Sequence, residues 1–523
     1  MYPSYFVYPH STQTVLQGAV ERLLFIVQKE PNGEIKYSSP GVPELAPPLT
    51  PEKDVWMINN AYFMLEIRRI IGKLCPLSSE EAIERLPPDK KKRYQQALAE
   101  YRLTGLKKKH AKVTIFVKPE KMAAKDLGTA CPRIIAFPGF VFGGQFARWI
   151  LACKAPVLNA INRIYGGTVV MKGLNAVEVA SAIVKAWHAC ENDGTSLPIN
   201  MGDDNLVFCR DHNKEVHGLR IDASRWDQHN HEQTVIFKQW LLRLLFAGDV
   251  EYEHLLWLLE HQLNYDCEAV SRDQRTGIKY VLQILRCIGR MRSGDMDTDF
   301  AAIVIALCAL HGFLRDYTPV PLNDLIAQLK EYFMRRGFKL KLEGLATCIE
   351  ECEFCQSRPI FDGERWIMVR SLSAVIKDTY IICDKINLLE RMAQIGTAGS
   401  IISAGIPIFE AFYRAMLRAG YTKKGVRKGT WNTNAWRDNG LAWLSGMGIP
   451  GMKKVQASQR AITEEARYSM YKAYNVTPVE QMAMEKDFDN VERGDAPGFK
   501  LILAGLHEYS PGLVDADVMG FSP

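Results

Sequence analysis

The sequence predicts a mixed α/β chain of the α+β kind, with short acidic strands set among long apolar helices. Three observations point there. The runs 197–201 (LPINM) and 206–209 (LVFC) are β-prone and flank the tetrad Gly202-Asp203-Asp204-Asn205, so they read as a hairpin. After a short polar link, 217–221 reads as another strand and ends in Asp222. Around these strands, 54–75, 89–103, 176–190, 252–263, 298–313 and 323–336 read as helices. A Gly-Asp pair alone signals only a turn. Two strand-borne carboxylate sites close in sequence say more, because they suggest two divalent cations held a few ångströms apart, an arrangement suited to in-line phosphoryl transfer.

Taken in order, the first fifty residues mix aromatics with Pro40, Pro43, Pro47 and Pro48, and read as an arm laid over another surface. Ser78 opens a short helical run, and Glu81 three residues on completes a capping box. Pro87-Pro88 breaks that run before the charged helix at 89–103. Residues 113–117 and 131–135 read as strands, the first entering Lys118-Pro119-Glu120-Lys121. Residues 224–248 form one amphipathic run with Trp240, read as a single core helix, and 279–284 reads as a strand. The helix at 323–336 ends at Gly337, a usual stop. A hairpin turns around Phe361-Asp362-Gly363. From 388 the chain is helix-prone, with a Gly-rich break at 396–405 and a polar stretch carrying Trp431, Trp436 and Trp443.

Bulk composition sets limits. At 523 residues and 47% hydrophobic the chain can bury a large core and exceeds one ordinary domain. The net charge of +6 permits a polyanionic partner without requiring one. Basic residues concentrate in Lys90-Lys91-Lys92-Arg93 and Lys107-Lys108-Lys109-His110, with Lys118, Lys121 and Lys125 following. Twelve irregularly spaced cysteines, with no signal-peptide pattern, read as reduced thiols. Cys348, Cys352 and Cys355 cluster, but no fourth ligand stands at finger-like spacing, so structural zinc is not expected there. No apolar run reaches the ~20 residues of a membrane span, and 300–310 reads as a buried helix.

Three segments together, Asp222-Ala223-Ser224-Arg225-Trp226-Asp227, Ser293-Gly294-Asp295-Met296-Asp297-Thr298 and Gly202-Asp203-Asp204, resemble the palm motifs of viral RNA-dependent RNA polymerases. The likeness is closest to the tombusvirus-like group and is specific over 112–378. In that family the DxxxxD strand comes first, then SGxxxT, then GDD; here GDD comes first. Residues 210–216 are long enough to link the displaced hairpin to its neighbour strand, and 314–322 closes the gap left behind. The resemblance implies a right-hand polymerase fold with closed fingertips and an antiparallel palm sheet in the order C-A-B. It implies an N-terminal arm over 1–52, fingers over 53–196, palm over 197–223, a palm helix and fingers over 224–285, palm again over 286–387, and a thumb over 388–523.

The resemblance also implies roles. Asp203, Asp204 and Asp222 would hold two Mg²⁺ ions, which Mn²⁺ can replace. Lys341 would be the acid toward pyrophosphate, with Lys339 as runner-up. Lys118, Lys121 and Arg133 would line the nucleotide channel, and Lys107, Lys108 and Lys109 would contact RNA. Ser293 and Gly294 would form a turn touching template or ribose. Asp227 would sense the ribose 2′-hydroxyl, but the asparagine that usually partners it is Ala302 here, so Thr298 is the favoured donor, ahead of Asp299. Implied partners are single-stranded template RNA, nascent RNA, NTPs and a viral membrane-anchoring replication protein, in membrane-associated replication complexes of the host cytoplasm. De novo initiation is expected, with C-terminal aromatics as a stacking platform. Two readings of other classes are a reverse transcriptase, which would not carry the SGDMDT and EFCQ segments, and a catalytically silent palm-fold RNA-binding protein, against which three intact aspartates argue.

Overall fold

The structure is a computed structural model that describes all residues except 1–4, 9–10, 32–33, 41, 119, 125–130, 273–278, 382–387, 421–459, 493–499 and 502–523. Trp431, Trp436, Trp443 and Lys125 therefore lie outside the described residues. The longer strands, in chain order, are β1 (Val113–Val117), β2 (Ile134–Phe137), β3 (Leu197–Met201), β4 (Asp204–Arg210), β5 (Val216–Ala223), β6 (Asn264–Arg272), β7 (Lys279–Ile288), β8 (Leu340–Ala346), β9 (Ser357–Phe361) and β10 (Trp366–Arg370). Helices fill most of the rest, which makes the fold α+β.

One sheet has the order β8-β5-β4-β3 and is antiparallel throughout. Its position in the core follows from strand alternation. Val207, Cys209, Leu219 and Ile221 point into one hydrophobic cluster, which they share with Ile303 and Leu307 of the helix Thr298–Arg315. Leu206 and Phe208, one residue out of phase, point into a second cluster with Val179, Ile183 and Trp187 of the helix Ala176–Asp193. Helices thus cover both faces, which is why β4 reads as a continuous apolar run rather than an alternating one. The helix Thr298–Arg315 is apolar and long enough to cross a membrane, but most of it is buried inside the protein.

A second sheet has the order β7-β6-β1-β2, with β6 and β1 parallel. The N-terminal helix Thr12–Ala19 packs on it through Val15 and Ala19, and residues 5–6 pair with 122–123. Beyond β10, the helices Leu388–Ile402 and Phe409–Gly420 pack on each other, and Glu464–Tyr474 and Pro478–Asp489 follow. Gly396 lies so close to the partner helix that an added Cβ would sit 2.4 Å from the Leu417 nitrogen.

Two sequence expectations need correction. Residues 224–248 form two helices, Trp226–His229 and Glu232–Phe246, and not one. Asn230 Nδ2 donates back to the Trp226 carbonyl at 2.8 Å, and the His231 ring accepts from the Gln233 N–H at 3.3 Å. The Trp226 carbonyl keeps its helical bond from the Asn230 N–H at 3.2 Å, but the His231 ring takes the Gln233 N–H that a continuous helix would have paired, and the chain breaks there. The other is β6, which was not anticipated although its inward residues Tyr265, Cys267 and Ala269 alternate.

Residues 210–216 form the turn between β4 and β5, as the linking argument requires. The segment between the helices Thr298–Arg315 and Leu322–Met334 packs directly on that turn: the Tyr317 hydroxyl donates to the Arg210 carbonyl at 2.5 Å, and the His212 N–H donates to the Val320 carbonyl at 3.2 Å. The two connecting segments, 211–215 and 316–321, thus meet in space.

Candidate active site

The pairing of β4 with β5 brings the three aspartates together. Asn205 stands opposite Ile221, so one step further Asp204 comes level with Asp222, and Asp203 occupies the tip of the turn. Gly202 has φ +71°, a conformation that glycine adopts without strain. Two amides brace the turn from below. Asn200 Nδ2 donates to the Gly202 carbonyl at 2.9 Å and to Asn205 Oδ1 at 2.8 Å, while Asn205 Nδ2 donates to the Asp203 carbonyl at 2.8 Å.

The electrostatics are those of carboxylates held close together with no Lys or Arg in direct ion-pair contact among the described residues. Crowding by protein on one side, then the charges of Asp203 and Asp222, push the Asp204 carboxyl up to about 6, although its other side faces solvent. Asp222 is also raised, by partial burial and then by Glu343 and Asp203, against the opposing charges of Lys341 and Arg220. Among the described residues, Asp203, Asp204 and Asp222 form no Lys or Arg ion pair. A cluster of oxygen donors that repel one another suits a hard divalent cation of the Mg²⁺ type.

The nearby basic residues divide into two groups. Lys118 and Arg133 come close enough for their charges to act on Asp203 and Asp227, respectively, and both face Glu120, at 3.6 and 3.3 Å. Lys121 is directed elsewhere: its ammonium donates to the carbonyls of Lys377 and Tyr380 at 3.0 and 2.8 Å. Burial raises the Asp227 carboxyl to about 6, and Ser293 donates its hydroxyl to Asp227 Oδ2 at 2.5 Å.

That bond corrects the expectation that Thr298 holds Asp227. The Thr298 hydroxyl lies within bonding distance of the carbonyls of Arg292 and Asp295, at 2.7 and 3.1 Å, which closes the turn onto its own helix. Gly294 lies against β2, with its N–H on the Ala136 carbonyl at 3.2 Å; an added Cβ would sit 2.9 Å from Ile135. Below the turn, Lys238 donates to Asp297 at 2.7 Å and to Gln262 at 2.9 Å, and Arg292 pairs with Asp295. Gln262 ties both aspartates together at 3.0 Å each.

Lys341 stands directly across from Asp222 on β8. Lys107, Lys108 and Lys109 are exposed on a short 3₁₀ turn, where Lys109 also pairs with Glu100 at 3.2 Å. Three residues carried no assignment from sequence. Arg22, from the N-terminal arm, acts electrostatically on Asp227. Arg220 pairs with Glu343 at 2.8 Å and with Glu353. The Cys355 thiol lies 3.7 Å from Asp204 Oδ2, so its cysteine cluster borders this site. Only Cys355 had a sequence signal, its place in the EFCQ segment.

A separate group of ligating side chains, Asp211, Glu215 and His217, could hold a metal ion, with ligand atoms within 4.8 Å of one another. It lies at the other end of the β4–β5 hairpin. The seven residues from Asp204 to Arg210 span roughly 20 Å. It is therefore not part of the aspartate cluster.

A family model described as viral RNA dependent RNA polymerase matches residues 4–193 and 318–494. The unmatched middle carries β3 to β5 and the Ser293 turn. The chain is 28% identical over 418 residues to the RNA-directed RNA polymerase of groundnut rosette virus, covering 76% of this chain and 44% of that protein. It is 27% identical over 497 residues to that of oat chlorotic stunt virus (90% and 61%), and 25% identical over 503 residues to that of maize chlorotic mottle virus (92% and 46%). The chain spans about half the length of the curated relatives it matches.

Proposed function

The chain belongs to the viral RNA dependent RNA polymerase family, and from that premise we propose that it copies a viral positive-strand RNA genome by template-directed nucleotidyl transfer from NTPs. The observation that carries the reading is the convergence of Asp203, Asp204 and Asp222 at one sheet end, in a chain where the hairpin precedes the strand it normally follows. Metal binding needs neighbours in space and not a fixed order in sequence.

In this reading the β8-β5-β4-β3 sheet is the palm, with motif order C-A-B. Residues 53–196 supply fingers, 224–285 a palm helix and fingers, 286–387 further palm, 388–523 the thumb, and 1–52 an N-terminal arm. Two Mg²⁺ ions bound by the three carboxylates would activate the primer 3′-hydroxyl and neutralise the leaving pyrophosphate. Lys118 and Arg133 neutralise the triphosphate before and during transfer, with Arg133 able to grip it in a bidentate fork. Lys341, level with Asp222, supplies a proton to the pyrophosphate oxygen. Asp227, held by Ser293, accepts from the ribose 2′-hydroxyl. Lys107, Lys108 and Lys109 track the RNA backbone, and synthesis starts de novo in a membrane-associated complex with a viral replication protein.

The test is single-nucleotide incorporation on an RNA template. Asp203→Asn or Asp222→Asn is expected to lower the rate at least a hundredfold while RNA binding stays near wild type. Unchanged turnover in Mg²⁺ by either variant would overturn the assignment.

A further inference from the structure

The far end of the β4–β5 hairpin holds a second cluster that the polymerase reading does not use. Asp211 is 4% exposed, and its Oδ1 accepts the backbone N–H groups of Asn213 and Glu215 at 2.9 Å each, which leaves Oδ2 facing inward. His217 is 6% exposed, and neither of its ring nitrogens has a hydrogen-bond partner. An imidazole at that depth with no well-formed hydrogen bond, and only the Asp211 carboxylate as a charged neighbour, costs free energy unless something completes it. Its Nε2 lies 3.5 Å from Asp211 Oδ2. That is close to the edge of a tetrahedron with bonds of about 2.1 Å, whose donor atoms stand roughly 3.4 Å apart. Glu215 reaches the same space from the exposed side, and His212 Nδ1, half exposed, is 4.0 Å from Asp211 Oδ2.

We propose that Asp211, Glu215 and His217 bind one divalent transition-metal ion of the zinc class at this turn, with the fourth position left to water. Imidazole nitrogen mixed with carboxylate oxygen favours zinc over magnesium, which prefers an all-oxygen shell and retains water. The ion would act structurally. It would fix the 211–215 turn against the 316–321 segment, where Tyr317 and Val320 already meet it. The site lies far from the aspartates, so its failure would leave the polymerase reading untouched.

Full-length protein stripped with EDTA and returned to buffer with excess Mg²⁺ is titrated with zinc sulfate by calorimetry, and with cobalt chloride by visible absorption. The expected result is one zinc per chain that Mg²⁺ does not displace, a tetrahedral cobalt spectrum, and a melting temperature raised by several degrees. Glu215→Gln, on the exposed side, and His217→Gln should each weaken zinc binding at least tenfold. The double variant Asp203→Asn/Asp222→Asn should bind zinc like wild type. If His217→Gln does not fold, Glu215→Gln decides alone. The proposal fails if zinc does not bind stoichiometrically, if Glu215→Gln leaves its affinity unchanged, or if the aspartate double variant abolishes it.

Discussion

Two sets of aspartates serve the two halves of the candidate active site, and the chain treats them in opposite ways. Asp295 and Asp297, under the Ser293 turn, are buried and compensated: Arg292 pairs with one, Lys238 with the other, and Gln262 bridges both. Asp203, Asp204 and Asp222 are crowded together with no such partner, and the carboxyls of Asp204 and Asp222 are pushed upward. Where the protein neutralises a carboxylate itself, the residue is architecture. Where it assembles carboxylates and leaves them uncompensated, the compensation must come from a ligand. The difference separates site from scaffold more sharply than residue type does, since both sets are aspartates in motif-like segments.

The strongest way to break this comparison is to remove compensation from the buried set. Lys238→Met leaves Asp297 buried without its cation, which is expected to cost about 3–5 kcal/mol of stability. Urea unfolding at neutral pH measures it. Asp222→Asn, which removes a charge from the uncompensated set, should not destabilise the metal-free fold. If the two substitutions cost the same, the distinction between the sets is wrong.

A smaller effect sharpens the comparison at Asp227, which lies between the two behaviours: buried, raised, and held by one neutral hydroxyl. Ser293→Ala removes that donor. Losing a hydrogen bond to a buried charged group costs on the order of 1.5–3 kcal/mol. The preference for ribonucleotide over 2′-deoxynucleotide should fall roughly tenfold to a hundredfold, read by matched single-nucleotide incorporation. Thr298→Val should leave that ratio unchanged, because its hydroxyl serves the turn and not Asp227.

How much of this could be read beforehand follows from the range of the interactions. The GDD hairpin and the Asp222 strand were legible because turn residues sit between apolar runs, a local signal. The capping box at Ser78 was legible for the same reason, and both of its hydrogen bonds form. The Ser293 bond to Asp227 was not, because it joins residues 66 apart, and helical spacing drew attention to Thr298 instead. Arg22 reaches Asp227 from the N-terminal arm, a proximity no local pattern encodes. The break at Asn230 and His231 was hidden because the apolar period continues across it; only the capping chemistry of two polar residues marks it. Asp211 was passed over in the polar link and His217 as the first residue of a strand, since burial cannot be read from polarity.

The smallest predicted effect is the most direct test of an uncompensated carboxylate. In the folded chain the Asp204 carboxyl is raised to about 6 from an ordinary value of 3.8. A carboxyl raised on folding binds its proton more tightly in the folded state than in the unfolded one. Its favourable contribution is therefore complete below about 3.8 and is lost as pH rises toward 6. Above that range the ionised group opposes folding. Asp204→Asn cannot ionise, so without divalent metal the variant should be more stable than wild type at pH 7.5. The gain should be about 1 kcal/mol once solvent on the open side of the residue is allowed for. The difference should shrink as pH falls through 6 and vanish near 3.8. Adding Mg²⁺ at pH 7.5 should reverse the order, because wild type gains binding free energy that the variant has largely given up. Thermal melts across pH, with EDTA and with Mg²⁺, read all three outcomes. If wild type were the more stable protein at pH 7.5 in EDTA, Asp204 would already have its partner within the chain, and it would belong with Asp295 and Asp297 as scaffold.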